Sequence, residues 1–245
     1  MTPTGLALEL PGDWTSARLL VRILYTIGSD WELTEAGLVH QETGDACRIV
    51  MRGPDGGLVG RYRSWEDPAY PSFMDEDFEG LSDHKALVEL TPGPGMVERE
   101  AAQALLRCGA ALIDAGARAV ALPSCGLAHS SDRWQQLARL ADSDPGGPTE
   151  ATALLRAFVR PAVREGSDWR TVGLAGLGHR DVVVDGEIDE TYAFEMQQAL
   201  AHRLLAGPGL SGDEVLQAGQ QGPRVRVLAS TDASNTHGIW RLERV

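Results

Sequence analysis

The stretch Trp169-Arg170-Thr171-Val172-Gly173-Leu174-Ala175-Gly176-Leu177-Gly178-His179-Arg180-Asp181, followed by Val182-Val183-Val184, restricts the fold more than any other part of the chain. Its strand-like ends are joined through three glycines, and beyond it lies the acidic start of a helix. The spacing is GxxGxG, the reverse of the dinucleotide fingerprint, and it leads into a β-branched run instead of a helix N-terminus. No row of aligned amides would therefore face a pyrophosphate. The glycines read as steric devices that permit a bulge or a close approach between backbones. His179-Arg180-Asp181 shares its letters with a kinase catalytic loop, but the downstream asparagine and the lysine of a glycine-rich loop are missing. No cofactor is expected.

Two further segments belong with this one: Asp83-His84-Lys85-Ala86-Leu87-Val88-Glu89-Leu90, a histidine-led strand before a long helix, and the ending Gly212-Asp213-Glu214 with Arg224-Val225-Arg226-Val227-Leu228-Ala229-Ser230. Together they resemble the bacterial family known as domain of unknown function 4261, over about residues 80–245. The resemblance implies a bacterial protein and supplies no chemistry.

Leu6 to Leu10 reads as a short strand closed by Pro11-Gly12. Asp13 to Ser16 offers capping side chains to a helix with Leu19, Leu20, Ile23, Leu24 and Ile27 on its apolar face. Strands are expected around Trp31 to His40 and Cys47 to Arg52, divided by the turn residues Glu42 to Asp45. Gly53 to Leu81 holds three prolines and five glycines and reads as an extended loop or covering segment. The strand Ala86 to Leu90 and the breaker Pro92 to Gly95 precede a long helix from Val97 to Ala115, with Ala101, Leu105, Cys108 and Leu112 on one face. Ala119 to Leu122 returns as a strand. Helices follow from Ser131 and from Thr149, the second ending near Pro161. Asp144 to Pro148 separates those two helices and does not divide domains. A last helix, Glu190 to Ala206, is stopped by Gly207-Pro208-Gly209, and strands at Arg224 to Ala229 and Gly238 to Leu242 close the chain.

Strand–helix–strand–strand at both ends, with strand–helix–strand between, predicts an α+β protein. Its sheets should be mixed or antiparallel, with helices packed on one side. The expected arrangement is two ferredoxin-like halves, about 1–90 and 91–245, within a single compact domain over 1–245.

The net charge of -13 is unevenly spread. Glu66, Asp67, Asp75, Glu76, Asp77, Glu79 and Asp83 fall in one segment, 66–83, that has no lysine or arginine. A field of this sign repels phosphate backbones and anionic lipid, so neither a nucleic acid nor a membrane is expected as partner, whereas a basic protein surface would be attracted. No stretch approaches the length of a transmembrane helix, and Met1 to Gly5 shows no signal-peptide character. Cys47, Cys108 and Cys125 are odd in number and unrelated in spacing, which argues against a disulfide framework and for a cytoplasmic location.

Ser124-Cys125-Gly126-Leu127-Ala128-His129 is the strongest nucleophile candidate, because a strand there ends in a tight turn and His129 could serve Cys125 or Ser124 as base. The preferred reading is structural: a small buried thiol at a strand end and a solvated histidine. The six histidines, His40, His84, His129, His179, His202 and His237, are dispersed, and one Cys125–His129 pair cannot fill a zinc site, so no metal is expected. His84 is read as a backbone hydrogen-bonding residue at a strand start.

The favoured site is Pro68 to Glu79. Tyr70, Phe73 and Phe78 alternate there with Asp75, Glu76, Asp77 and Glu79, the pairing of aromatic anchors and charged rim that a protein-binding hot spot needs. Those aromatics have a second reading, as tacks that pin a long loop to its own domain. The expected function is non-enzymatic binding of a basic protein partner in a bacterial conflict or secretion-associated system, such as an immunity protein facing a basic toxin. A hydrolase using Cys125 or Ser124 with His129, and a structural or scaffold subunit, are the alternatives.

Overall fold

Two sheets organise the chain, and each gathers its own helices. The structure, a computed structural model, describes residues 5–35, 37–207, 209–217, 222–232 and 235–245. Residues 1–4, on which the reading of the N-terminus leaned, and Pro208, invoked as a helix stop, lie outside that set. The chain divides into one compact unit over Met1–Leu140 and another over Ala141–Val245.

The first unit contains β1 (Leu8–Gly12), α1 (Ala17–Thr26), β2 (Trp31–Thr34), β3 (Gly37–His40), β4 (Ala46–Arg52), α2 (Leu58–Trp65), α3 (Asp75–Ser82), β5 (Ala86–Pro92), α4 (Glu98–Asp114), β6 (Ala119–Leu122) and β7 (Leu127–Ser130). Helix α5 (Ser131–Asp142) carries the chain across the division. Its sheet runs β2-β3-β4-β5-β1-β6-β7 with antiparallel pairings throughout. Alternation puts Leu8, Leu10, Val88, Leu90, Val120 and Leu122 on one face. Helix α4 lies there, and Gly109 lets it approach closely: a Cβ at that position would stand 2.7 Å from the Trp134 indole nitrogen and 3.3 Å from Leu8. The Trp134 indole donates to the Leu106 carbonyl (3.0 Å), which locks α5 onto α4. Cys108 on α4 is buried beside Cys47 of β4, and burial first, then the neighbouring thiol, push the Cys108 thiol up.

The opposite face is covered too. Leu87, Ala119, Ala121 and Ala128 point toward Leu58 and Tyr62 of α2 and toward Phe78 and Leu81 of α3. Helices therefore occupy both faces of this sheet, where one side was expected. The segment 53–81 is the covering layer itself and contains two short helices, hidden in the sequence by its glycines and prolines. The strand expected from Trp31 to His40 is a hairpin, β2 and β3, with Gly37 at φ 123 immediately after the turn. Strand β7 was not anticipated, because Ser124 to His129 reads as loop, yet its four residues are all buried.

The second unit contains α6 (Pro148–Phe158), β8 (Arg160–Glu165), β9 (Asp168–Val172), a 3₁₀ turn (Leu174–Leu177), β10 (Asp181–Val184), α7 (Glu190–Ala206), β11 (Val215–Gln217), β12 (Arg224–Asp232) and β13 (Asn235–Arg244). Its sheet runs β11-β12-β13-β10-β9-β8, with β10 and β13 parallel and the other pairings antiparallel. Helix α7 packs on β8, β9 and β10 and against α6. The protein is α+β with mostly antiparallel sheets, as expected. The division into halves near residue 90 does not match the units: β1 pairs with β5 on one side and β6 on the other, so residues 86–92 lie in the middle of a single sheet. The units part in the last turn of α5, next to the Asp144–Pro148 break that was read as merely separating helices.

Candidate functional site

The acidic segment 66–83 is an ordered strap. Glu66 turns back on the chain and accepts the Ser72 and Phe73 amides through Oε1, each at 2.8 Å. Asp67 accepts the Ala69 amide (2.9 Å), and Asp77 accepts the Met74 amide (2.8 Å) at the N-terminus of α3. Three of the acids are therefore occupied with backbone, as short polar side chains at turns and helix starts commonly are. The carboxylates of Asp75, Glu76 and Glu79 are exposed and have no ion pair or hydrogen bond among the described residues. Asp75 and Glu79 stand one turn apart on α3, where like charges oppose each other by roughly 0.2–0.5 kcal/mol.

The aromatics divide differently from the expected hot spot. Phe78 is 8% exposed and lies in the core beneath α2 and α3. Phe73 stacks on it with ring centroids 5.0 Å apart and meets Tyr62 edge-on at 6.2 Å. Arg63 covers Phe78 from outside, 4.3 Å from the ring centre. Such aromatic pairs add about 0.5–1.5 kcal/mol each beyond burial. Phe73 and Phe78 are tacks, and the assignment of Phe78 as a partner contact is corrected by its burial. Tyr70 is half-buried with the Arg133 guanidinium 5.9 Å from its ring. Tyr62 fixes the strap further, since its hydroxyl donates to the Glu9 carbonyl (2.9 Å), and burial pushes its phenol well up. His84 anchors the far end of α3: Nδ1 pairs with the Leu81 carbonyl (2.8 Å) and Nε2 accepts the Asp55 amide (2.9 Å).

The β6–β7 hairpin holds the nucleophile candidates. Cys125 is 6% exposed, and its thiol donates to the Leu122 carbonyl (3.7 Å). His129 is buried rather than solvated; it sits opposite Val120 in the ladder with its ring 5.6 Å from the Trp134 ring. Ser124 is exposed in the turn, and its hydroxyl has no hydrogen-bond partner among the described residues. Among those residues no three His, Cys, Asp or Glu side chains gather as a metal site. His202 contacts the Pro148 carbonyl, and His40 accepts the Glu42 and Thr43 amides.

The glycine-rich stretch builds a polar centre that the sequence did not disclose. Asp181, at the start of β10, is buried, and its Oδ1 accepts the Leu174 amide (3.2 Å) and the Thr171 hydroxyl (3.3 Å). Asn235 Nδ2 donates to its Oδ2 (2.9 Å), and Arg170 lies 3.5 Å away. Burial pushes the Asp181 carboxyl up, against the opposing pull first of Asn235 and then of Arg170. Gly173, at φ 120, takes a conformation that L side chains rarely adopt, and a Cβ there would strike the Phe158 carbonyl oxygen. The centre thus closes a strand–turn–strand unit. An acid immediately before three valines was the available signal. Comparisons of the chain with protein-family models, with curated proteins and with solved structures return no match. No helix among the described residues is long and apolar enough to cross a membrane.

Proposed function

We propose that this chain is a binding protein whose α3 surface receives a basic protein partner, in a cytoplasmic bacterial conflict or secretion-associated system of the immunity-protein kind. The observation that carries the reading is the exposed trio Asp75, Glu76 and Glu79: like charges held close on a helix that is itself tacked to the core, none of them in an ion pair among the described residues. A partner supplying arginine or lysine would convert that repulsion into attraction without reordering the strap. The bacterial setting rests on the resemblance to domain of unknown function 4261 and is part of the proposal. The hydrolytic alternative draws less support, because the Cys125 thiol is buried on a carbonyl and His129 is packed beside an indole.

The test is Asp75→Asn, Glu76→Gln and Glu79→Gln together, which spares the Asp77 cap. Partner capture from the source bacterium, followed by association kinetics at two salt concentrations, should show slower association and a weaker salt dependence in the variant. Equal capture and equal kinetics would remove α3 from the account. Capture that instead requires Cys125 and His129 would favour the enzyme.

A further inference from the structure

In the first unit a concave site lies between α1 and the edge strand β2, with a volume of about 560 Å³. Pockets that hold small organic ligands run from about 300 to 1,000 Å³. Arg18, Arg22 and Tyr25 follow one another at four- and three-residue spacing and so share the helix face that forms one wall. Leu24 and Trp31 are buried behind it, and Leu33 of β2 is partly exposed on the other wall. Trp31 is held edge-on to the His40 ring (5.2 Å), and its backbone N–H donates to the Ser29 hydroxyl (3.2 Å). The floor is therefore fixed before anything binds.

Arg52, Arg61, Arg107 and Arg118 of this unit are each in an ion pair, while Arg48, Arg63 and Arg139 have none among the described residues. Arg18 and Arg22 have none among the described residues, in a chain of net charge -13. Glu32 also lines the groove, so the lining keeps one net positive charge. Tyr25 is 87% exposed at the mouth. A guanidinium fork pairs with the oxygens of a carboxylate, sulfonate or phosphate, and two arginines line this groove. A bare inorganic anion would leave the Tyr25 and Leu33 surfaces unused, and a neutral hydrocarbon would leave both arginines unused.

We infer that the α1–β2 groove binds an aromatic organic anion, its charged group held by Arg18 and Arg22 and its ring laid between Tyr25 and Leu33, above the buried Trp31. The site is independent of α3. The probe is anilinonaphthalene sulfonate, titrated by fluorescence against the full chain at low and high salt, with uncharged phenylnaphthylamine as the comparison. Saturable one-to-one binding that weakens with salt is expected. Arg18→Gln with Arg22→Gln should weaken it about tenfold or more, because both groups are exposed and their loss removes charge-assisted contacts without disturbing the core. Glu32→Gln should tighten it by about threefold, a gain that a damaged fold would not produce. Binding that does not saturate, equal affinity for the neutral probe, an unchanged affinity in the arginine variant, or no gain in the Glu32 variant would each overturn the inference.

Discussion

Replacing Asp181 with alanine tests whether the glycine-rich stretch is held by its buried carboxylate. The loss arises from what stays behind. The Arg170 side chain is 10% exposed, and Glu165, a second carboxylate beside it at 3.1 Å, is itself 65% exposed. Stripping one partner from a buried charged pair costs about 3–5 kcal/mol. The Leu174 amide also loses its acceptor, and an orphaned buried donor costs about 1–3 kcal/mol. These losses share one environment and do not add, so about 4 kcal/mol is expected. For a unit of this size 1 kcal/mol corresponds to about 4–8 °C, hence a fall in Tm of roughly 15–30 °C for the transition of the second unit. Calorimetry would record it, and hydrogen exchange at the Leu174 and Val182 amides would locate it. Asp181→Asn refines the test, because it keeps one acceptor oxygen and removes the charge. Burial raises the wild-type carboxyl, so its contribution to stability is fully present below the unfolded carboxylate range and is lost as pH rises through the folded value. The gap between wild type and Asp181→Asn should therefore narrow as pH rises through the acid range. A loss below about 1 kcal/mol for Asp181→Ala would refute the reasoning, since it would mean that water satisfies the centre.

Other perturbations separate core from surface. Phe78→Ala should cost about 3–5 kcal/mol in urea unfolding, whereas the Asp75, Glu76 and Glu79 amides should stay within about 0.5 kcal/mol of wild type. Gly173→Ala forces a methyl into the Phe158 carbonyl at a positive φ and should lose at least about 2 kcal/mol in the same assay. The hydrogen bond from Arg61, foremost, holds the Asp55 carboxyl below its usual 3.8, so this contribution is present above the unfolded value and is lost as pH falls through the folded one. Acid unfolding curves of wild type and Arg61→Gln should accordingly converge at low pH. Cys125→Ala should change stability by less than about 1.5 kcal/mol, because the side chain is small and its thiol's contact with the Leu122 carbonyl is long at 3.7 Å.

Elements governed by local periodicity were legible in the sequence. Helices α1, α4 and α7 show apolar residues at helical spacing, and β6 falls where four small apolar residues follow a glycine stop. What escaped was set by distant partners. Strand β7 exists because the backbone of Leu127 to Ser130 pairs with β6, and nothing in its own composition distinguishes it from loop. Strand β8 begins at Arg160 and includes Pro161, which reads as a helix stop; a register shift between Arg160 and Val163 accommodates it. Helices α2 and α3 are short and glycine-containing, and what stabilises them is burial on the second face of a sheet. At the site, the acidity of 66–83 was legible. The division of labour within it was not, because Glu66, Asp67 and Asp77 bind amides whose positions only the folded chain defines. Arg18, Arg22 and Tyr25 stood at readable helical spacing, but the groove they form with β2 is a fact of three dimensions.

The strap over the second face of the first sheet also bears on how such a chain can change over time. Residues that hold it down, Phe73, Phe78 and Leu81, are interspersed along the segment with residues that merely face water, Asp75, Glu76 and Glu79. Mutational drift at the second set is nearly free of a folding penalty, whereas drift at the first set is not. A lineage carrying this architecture can therefore reshape the outward chemistry of α3 quickly, one codon at a time, while the helix stays where it is.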